Sequence, residues 1–507
     1  MSGTFLGIEA GTSVLKVCAF SVDGEVLAKA QRPVQLITPE PAWAEIDVEH
    51  YWQLVVSTVR EVAADCGAVA GIGISATCPT TVFMDASFRP LRPGILYLDR
   101  RSDELVRAFA RENGGGHSLF QRVGNHPFSS TCWLGNLGWV RKHEPEVWKR
   151  TRHVGLLSSF IIQRLTGAFT LDWTQASYSG GFNIYKPRQG WLADMLAAWK
   201  ADGEMLPRLG WSCDAAGELA PQAAEELGLL PGAVVAFGSA DTAAAAFAVG
   251  LRRAGDVLET AGTSGVMTFC MDRPDFDEAF MNRCHIFPER WLAHGAMSTL
   301  GGAFAWMKNK IWPEAVSIAE LEQMAAESPA GANGLIFLPY LAGERSPIWD
   351  PDASGVWVGL RLDSTRADMV RAVFEGAAYG LRQMVERAKN RWGLTPQRVL
   401  SVGGSRSRFW AQIKREVTGL NYQLAEKPDA SAWGAALLAG IASGEFSGPD
   451  DPRLNFILAN QPPPATSRSE RMRINDLERK RAYDKAFSAY EKLYPALKSV
   501  MHDLARR

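Results

Sequence analysis

Asp241 stands in the run Gly238-Ser239-Ala240-Asp241-Thr242, ahead of four consecutive alanines, and lies between two copies of a Gly-Thr-Ser turn. One copy is Gly11-Thr12-Ser13, the other Gly262-Thr263-Ser264-Gly265, and each follows a short apolar run that reads as a strand. Such a turn offers backbone N–H groups and two hydroxyls to an anion, and its glycine permits close approach. Two of them could grip a polyphosphate, which makes the lone carboxylate between them a candidate base. N-capping of a helix would also select an aspartate there, and the two roles are compatible.

Glu9, where the first strand meets its turn, is placed to hold a magnesium ion directly or through water, or to be a salt-bridged strand-end acid. Lys16 is either a phosphate contact or a surface lysine on an edge strand. A third glycine turn, Gly403-Gly404-Ser405, suits a flat ring or a phosphate, and equally an ordinary strand-to-helix turn. No Gly-x-x-x-x-Gly-Lys-Ser/Thr loop and no Gly-x-Gly-x-x-Gly opening a helix is present. The eight histidines show no metal-ligand spacing, and no Ser-His-Asp or Cys-His arrangement is supported.

The elements that must carry these residues alternate in type. Strand patterns at Phe5 to Ile8, Val14 to Phe20 and Val26 to Ala30 precede helical spacing from Val48 to Ala64 and a strand from Ala68 to Ser75, ending at Ala76-Thr77-Cys78-Pro79. The theme returns with strands at Asp256 to Thr260 and Val266 to Cys270, helices around Gly302 to Lys310 and Asp368 to Trp392, a strand at Val399 to Val402 and a helix from about Phe409 to Thr418. Alternating strands and helices predict an α/β fold, and the similar openings of the halves predict an internal duplication. A hinge is expected near Val249 to Gly255, a linker at Gly448 to Pro464, and a tail helix packing through Tyr483, Phe487, Tyr490 and Leu493.

At 507 residues the chain is long enough for two domains, and 47% hydrophobic with 21% charged residues is the balance of a globular protein. A net charge of -1 points away from nucleic acid and anionic membranes and toward a small ligand. Seven scattered cysteines without a Cys-x-x-Cys pair fit a reducing compartment. No signal-peptide pattern opens the chain, and Ala233 to Leu251 reads as a strand and helix rather than a span, so the expectation is cytoplasmic, with no membrane partner.

The order of these motifs resembles the FGGY family of carbohydrate kinases, in the superfamily of actin and the chaperone ATPases, from Gly7 to about Gly440. Gly355-Val356-Trp357-Val358-Gly359-Leu360, continued by Asp368-Met369 and Ala372-Val373-Phe374-Glu375-Gly376, matches one family signature. Trp139 to Pro145, Gly262 to Gly265 and Phe337 to Pro347 are similar to its xylulokinase-like branch. The resemblance implies a two-domain duplicated actin-like (ribonuclease H-like) fold with a central cleft: 1–248 holding sugar and first phosphate turn, 249–447 holding nucleotide, 448–507 a linker and helix. It implies ATP and Mg2+, with Asp241 as base, Glu9 and Asp241 toward the metal, and Thr12, Ser13, Lys16, Gly262, Thr263, Gly302, Gly403, Gly404 and Ser407 toward the nucleotide. Thr77, Cys78 and Asp99, with Asp241, are the expected substrate contacts. The acceptor is expected to be a ketopentose such as xylulose or ribulose, with a polyol such as erythritol as the alternative. A sugar-independent ATPase switch and an inactive sugar-binding protein are the rivals from other classes, and a symmetric homodimer is the usual soluble assembly.

Three positions depart from the family pattern. Glu9 stands for the usual aspartate and Asn136 for a usual lysine. Cys78-Pro79 replaces the Arg-Glu of glycerol kinases and the Met-His of xylulokinases, which argues against glycerol.

Overall fold

The computed structural model describes residues 3–312, 317–394, 396, 398–403, 407–425, 429–454 and 474–505. Thirteen strands build its two main sheets. In the first lie β1 (Thr4–Ala10), β2 (Val14–Phe20), β3 (Val26–Pro33), β4 (Val69–Ala76), β5 (Ala215–Glu218), β6 (Val234–Ala236) and β7 (Ser239–Ala240). In the second lie β8 (Val257–Ala261), β9 (Gly265–Met271), β10 (Met281–Cys284), β11 (Trp291–Met297), β12 (Arg398–Gly403) and β13 (Asn421–Leu424). The helices that matter below are α1 (Val48–Cys66), α2 (Asp241–Ala248), α3 (Gly301–Trp306), α4 (Arg366–Trp392), α5 (Arg408–Thr418), α6 (Ala430–Ala442) and α7 (Ile474–Ala505).

The sheets repeat one plan. In the first, β1 pairs antiparallel with β2 and β2 with β3, while β1 pairs parallel with β4 and β4 with β6. In the second, β8 pairs antiparallel with β9 and β9 with β11, while β8 pairs parallel with β12 and β12 with β13. Each Gly-Thr-Ser turn is thus the hairpin between the first two strands of its sheet, the duplication expected of an actin-like fold.

Local sequence accounts for the framing helices. Asp47 caps α1 by accepting from the His50 N–H at 2.9 Å, and Val48, Tyr51, Trp52, Val55, Val59 and Val62 bury one stripe of it. The tail helix α7 buries Tyr483, Phe487 and Tyr490. The Tyr483 hydroxyl accepts from Arg371 of α4 at 2.8 Å, and the Tyr490 and Tyr340 hydroxyls lie 3.3 Å apart. The expected linker at 448–464 lies outside the described residues beyond 454.

Helices α2 and α6 lie together between the sheets. Their shared apolar cluster takes Phe5 and Phe20 from the first sheet, Leu258, Cys270 and Leu292 from the second, and Ala243, Phe247, Trp433 and Leu438 from the helices themselves. Although α6 follows the second sheet in sequence, its backbone presses on the first. A Cβ on Gly7 of β1 would stand 1.9 Å from the Ala432 carbonyl oxygen, and one on Gly73 of β4 would stand 1.8 Å from that of Ala435. Gly434 of α6 meets α2 in the same way, 2.2 Å from the Ala244 oxygen. Small residues give this layer its closeness, because dispersion attraction is lost steeply with separation. The 233–251 stretch is β6, β7 and the eight-residue α2, and no helix among the described residues is long and apolar enough to cross a membrane.

Candidate active site

Three parallel strands of the first sheet end at one level. Ala10 of β1 pairs with Ala76 of β4, and Ala76 pairs with Ala240 of β7, so the residues that follow leave the sheet side by side: Gly11-Thr12, Thr77-Cys78 and Asp241. The crevice outside the carboxyl ends of parallel strands is where open α/β sheets bind ligands. Here it is tied together by the Thr77 N–H donating to the Ala10 carbonyl at 2.9 Å, a 3.0 Å hydrogen bond between the Thr12 and Thr77 hydroxyls, and the Tyr51 hydroxyl donating to the Gly11 carbonyl at 3.0 Å. Gly238, with φ 79° and a would-be Cβ 2.4 Å from the Ile74 oxygen, allows the chain to bend from β6 into β7 and so aims Asp241.

Asp241 opens α2, half-buried, and its Oδ1 accepts from the Thr242 N–H at 2.6 Å. Burial pushes its pKa above the usual carboxylate value; the Arg283 guanidinium and the Thr242 N–H pull it down, and the charge of Glu9 adds to the rise. Those are the surroundings of a base poised closer to neutrality than a free aspartate.

Glu9 lies half-buried beside the same edge, its Oε2 3.2 Å from the Lys16 ammonium, which reaches Asp429 at 2.8 Å on its other side. Burial lowers the Lys16 pKa and the two carboxylates raise it further, so it stays charged. Its ion pairs make Lys16 a bridge between the first turn and the start of α6. Two carboxylates that repel one another, Glu9 and Asp241, are a setting that a divalent cation relieves, and Glu9 keeps its Oε1 outside the Lys16 pair.

The second turn is closed by glycines. The Gly262 N–H donates to the Ser264 carbonyl at 2.9 Å, and the Leu300 and Gly302 N–H groups both donate to the Thr263 carbonyl at 2.9 Å. The Gly301 N–H donates to the Gly262 carbonyl at 3.0 Å, where a Cβ on Gly301 would come within 2.6 Å. The start of α3 is thereby seated on the turn. Ala261 pairs with Gly403 at the parallel strand end beside it, and Ser407 caps α5, accepting from the Trp410 N–H at 3.0 Å. Gly262, Thr263, Gly302 and Gly403 therefore gather at one edge of the second sheet, while Gly404 lies outside the described residues. Thr260 stands in the second half where Glu9 stands in the first, and its neighbour Glu259 is fully buried and paired with Lys414 at 2.5 Å, a structural ion pair inside the sheet.

The expected substrate residues divide. Thr77 and Cys78 stand at the crevice; the Cys78 thiol is coupled to Arg283, Asp172 and Asp241, and burial raises its pKa, leaving it neutral. Asp99 is a correction. Its oxygens accept from the Ala44 N–H at 2.7 Å, from the Arg101 N–H and Nε at 2.9 Å each, and from Arg101 Nη2 at 2.7 Å, which fills its acceptor positions. It shapes the Tyr97–Arg101 turn and has no lone pair left for a sugar. Asn136 is also internally satisfied, accepting from the Ser102 hydroxyl at 2.7 Å and donating to that of Thr81 at 3.0 Å, a neutral network with no place for a lysine's charge.

Arg283, Tyr178 and Tyr97 join the crevice without having been expected. Tyr97 is coupled to Asp241, Thr12 and Arg345, and Arg283 to Tyr178, Cys78 and Asp241. Arg283 sits in Met281-Asn282-Arg283-Cys284, a short strand whose neighbours in sequence carry no sign of a site. The hydrogen bonds from β10 to Asn125 and Ser177 of the first half bring it there.

A half-buried carboxylate at converging strand ends, with one glycine-hydroxyl turn in each of two like-built halves, is the arrangement of a phosphotransferase of the actin-like class. Residues 4–248 match the model of the FGGY family of carbohydrate kinases, N-terminal domain, and residues 257–443 that of its C-terminal domain, so the chain belongs to this family and is a carbohydrate kinase. It is similar to a xylulose kinase of Escherichia coli, 28% identical over 506 residues covering 98% of this chain and 100% of the relative. A gluconokinase of Bacillus subtilis is 25% identical over 459 residues, 88% of this chain and 89% of the relative. The crystal structure of a xylulose kinase from Rhodospirillum rubrum superposes with a TM-score of 0.88 at 29% identity, covering 98% of this chain and 100% of that one.

Proposed function

We propose that this kinase transfers the γ-phosphoryl group of ATP to a hydroxyl of a small open-chain sugar in the crevice between the 1–248 and 249–447 lobes. The observation that carries the reading is the position of Asp241, at the converged ends of β1, β4 and β7, with the Thr12 turn on its own sheet and Arg283 brought to it from the other. The acceptor oxygen bonds to the γ-phosphorus as the bond from that phosphorus to the bridging oxygen breaks. The bond's electrons leave with ADP, and the hydroxyl proton passes to the Asp241 carboxylate.

Positioning and charge neutralisation supply most of the rate in such transfers. The Thr12-Ser13 and Gly262-Thr263 turns would hold the phosphates, with Gly302, Gly403 and Ser407 beside the rest of the nucleotide. Glu9 and Asp241 would hold Mg2+, which neutralises phosphate charge. Lys16, through Asp429, would couple the first turn to α6 rather than bind phosphate itself. Relatives named xylulose kinase support a ketopentose acceptor such as xylulose or ribulose, and those named gluconokinase, at similar identity, support an aldonate such as gluconate. The test is an ADP-release assay over ketopentoses, ketohexoses, pentitols and aldonates. Acceptor-dependent ADP release is expected, and hydrolysis of ATP that no acceptor accelerates would defeat the reading.

A further inference from the structure

Arg283 is 4% exposed, yet its Nε and Nη1 reach no hydrogen-bond acceptor, and no carboxylate lies within ion-pairing distance of it among the described residues. Its guanidinium lies 4.1 Å from the centre of the Tyr178 ring and interacts with the Tyr178 hydroxyl, a neutral partner that leaves the charge uncompensated. The strand beneath it is locked to the first lobe on both sides. The Asn282 N–H donates to Asn125 Oδ1 at 2.7 Å, Asn125 Nδ2 donates to the Asn282 carbonyl at 2.8 Å, and the Cys284 N–H donates to the Ser177 hydroxyl at 3.0 Å. The cation is therefore pre-positioned, not free to swing toward water.

Nearby acids do not serve it. Asp172, which is fully buried, spends its carboxylate on the N–H groups of Thr174 and Gln175, the Thr174 hydroxyl and the Gln175 amide. Asp241 is the proton acceptor, and a direct ion pair would disable it. A second cation near Tyr178, Arg345, is half-buried beside Glu344, with Nη2 donating to the Met297 carbonyl at 3.0 Å. Burying an unpaired charge is costly, and a planar guanidinium fork with open N–H groups matches a carboxylate in shape and charge. A hydroxyl would satisfy one donor and leave the charge.

We propose that Arg283 anchors a carboxylate at one end of the acceptor, so that the preferred substrate is a short sugar acid, an aldonate, in place of a neutral ketopentose. This rests on the kinase reading above and narrows its acceptor. The sugar acid's carboxylate completes the unpaired fork, and its far hydroxyl is the one presented to Asp241.

The test uses the full chain and matched probes that differ only in carrying a carboxylate or a hydroxymethyl group: D-gluconate against D-glucitol, and D-xylonate against xylitol, with D-xylulose alongside. Binding is followed by calorimetry and transfer by ADP release. The acid of each pair is expected to show a kcat/KM at least about 100-fold higher, carried mainly by KM. Arg283→Met should erase that preference, and Arg283→Lys, which keeps the charge without the fork and serves should the methionine variant fold poorly, should retain part of it. Neutral acceptors turned over as well as their acids, or Arg283 variants that slow all acceptors equally, overturn the assignment and leave the kinase reading standing. Gluconate binding that depends on Arg283 without any ADP release supports the anchor and defeats the kinase reading.

Discussion

The Lys16 ammonium lies 2.8 Å from Asp429 Oδ1 and 3.2 Å from Glu9 Oε2, so one cation joins the strand that leads into the Gly11-Thr12-Ser13 turn to the residue that starts α6. Removing either partner changes the charge at the proposed metal position in opposite directions. Glu9→Gln should move the magnesium titration of nucleotide binding to higher concentration, and Lys16→Met, which leaves Glu9 without its counter-charge, should move it lower. Calorimetric titrations of both variants against wild type check the pair of signs, and shifts in the same direction count against Glu9 as a metal residue.

Asp241→Asn keeps the size of the side chain and its contact with the Thr242 N–H while removing the proton acceptor. ADP release should fall by about 10²–10⁴-fold, the usual worth of a positioned base. Nucleotide affinity, measured separately, should change little.

The pH profile reports the same residue. Because burial raises the Asp241 pKa, the acid limb of kcat should lie above the ordinary aspartate range, activity being lost as pH falls and the carboxylate takes up a proton. Arg283 opposes that rise, so in Arg283→Met the limb should move to still higher pH. A limb unmoved by the substitution would separate Arg283 from the base.

His285 sits at the crossing between the lobes, its Nε2–H donating to the Leu251 carbonyl at 2.5 Å and its Nδ1 accepting from the Ile286 N–H at 2.8 Å. Burial pushes its pKa down from 6.5 to about 4, so the fold holds it neutral. The unfolded chain binds the proton first, and stability present above pH 6.5 is lost progressively as pH falls toward about 4, by on the order of 3 kcal/mol. Urea titrations across this window should show the loss, and His285→Gln, which can still donate to Leu251, should flatten it.

Gly434→Ala would place a methyl group 2.2 Å from the Ala244 carbonyl oxygen, backbone against backbone, where no side chain can turn aside. A loss of at least about 1–3 kcal/mol is expected, as for overpacked cores. A thermal melt decides it, and an unchanged midpoint would mean that α2 and α6 separate more readily than their contact implies.

Much of this was legible beforehand wherever local pattern and strand order suffice. The strands flanking Thr12 and Thr263, the capped helix after Asp47 and the exit of Asp241 from a strand all follow from short-range spacing. What escaped depends on chain segments far apart. Arg283 comes near Asp241 because β10 is bonded to Asn125 and Ser177, and α6 covers β1 although more than four hundred residues separate Gly7 from Ala432. Asp99 misled because a carboxylate beside an arginine reads the same whether it awaits a ligand or is already saturated by Arg101. The neighbourhood of Lys16 fits a phosphate contact or a surface residue alike, because its partner Asp429 lies far away in sequence.

The seat of α6 on Gly7 and Gly73 has a bearing on biosynthesis. The opening sheet leaves the ribosome with one face bare, and its cover is not made until residue 442 has been added. The first sheet therefore draws its cover from the second half of the chain. The nascent amino-terminal portion must wait, exposed, for a segment encoded near the far end of the message, and a chain truncated before that point would be left with an apolar surface that chaperones or proteases recognise.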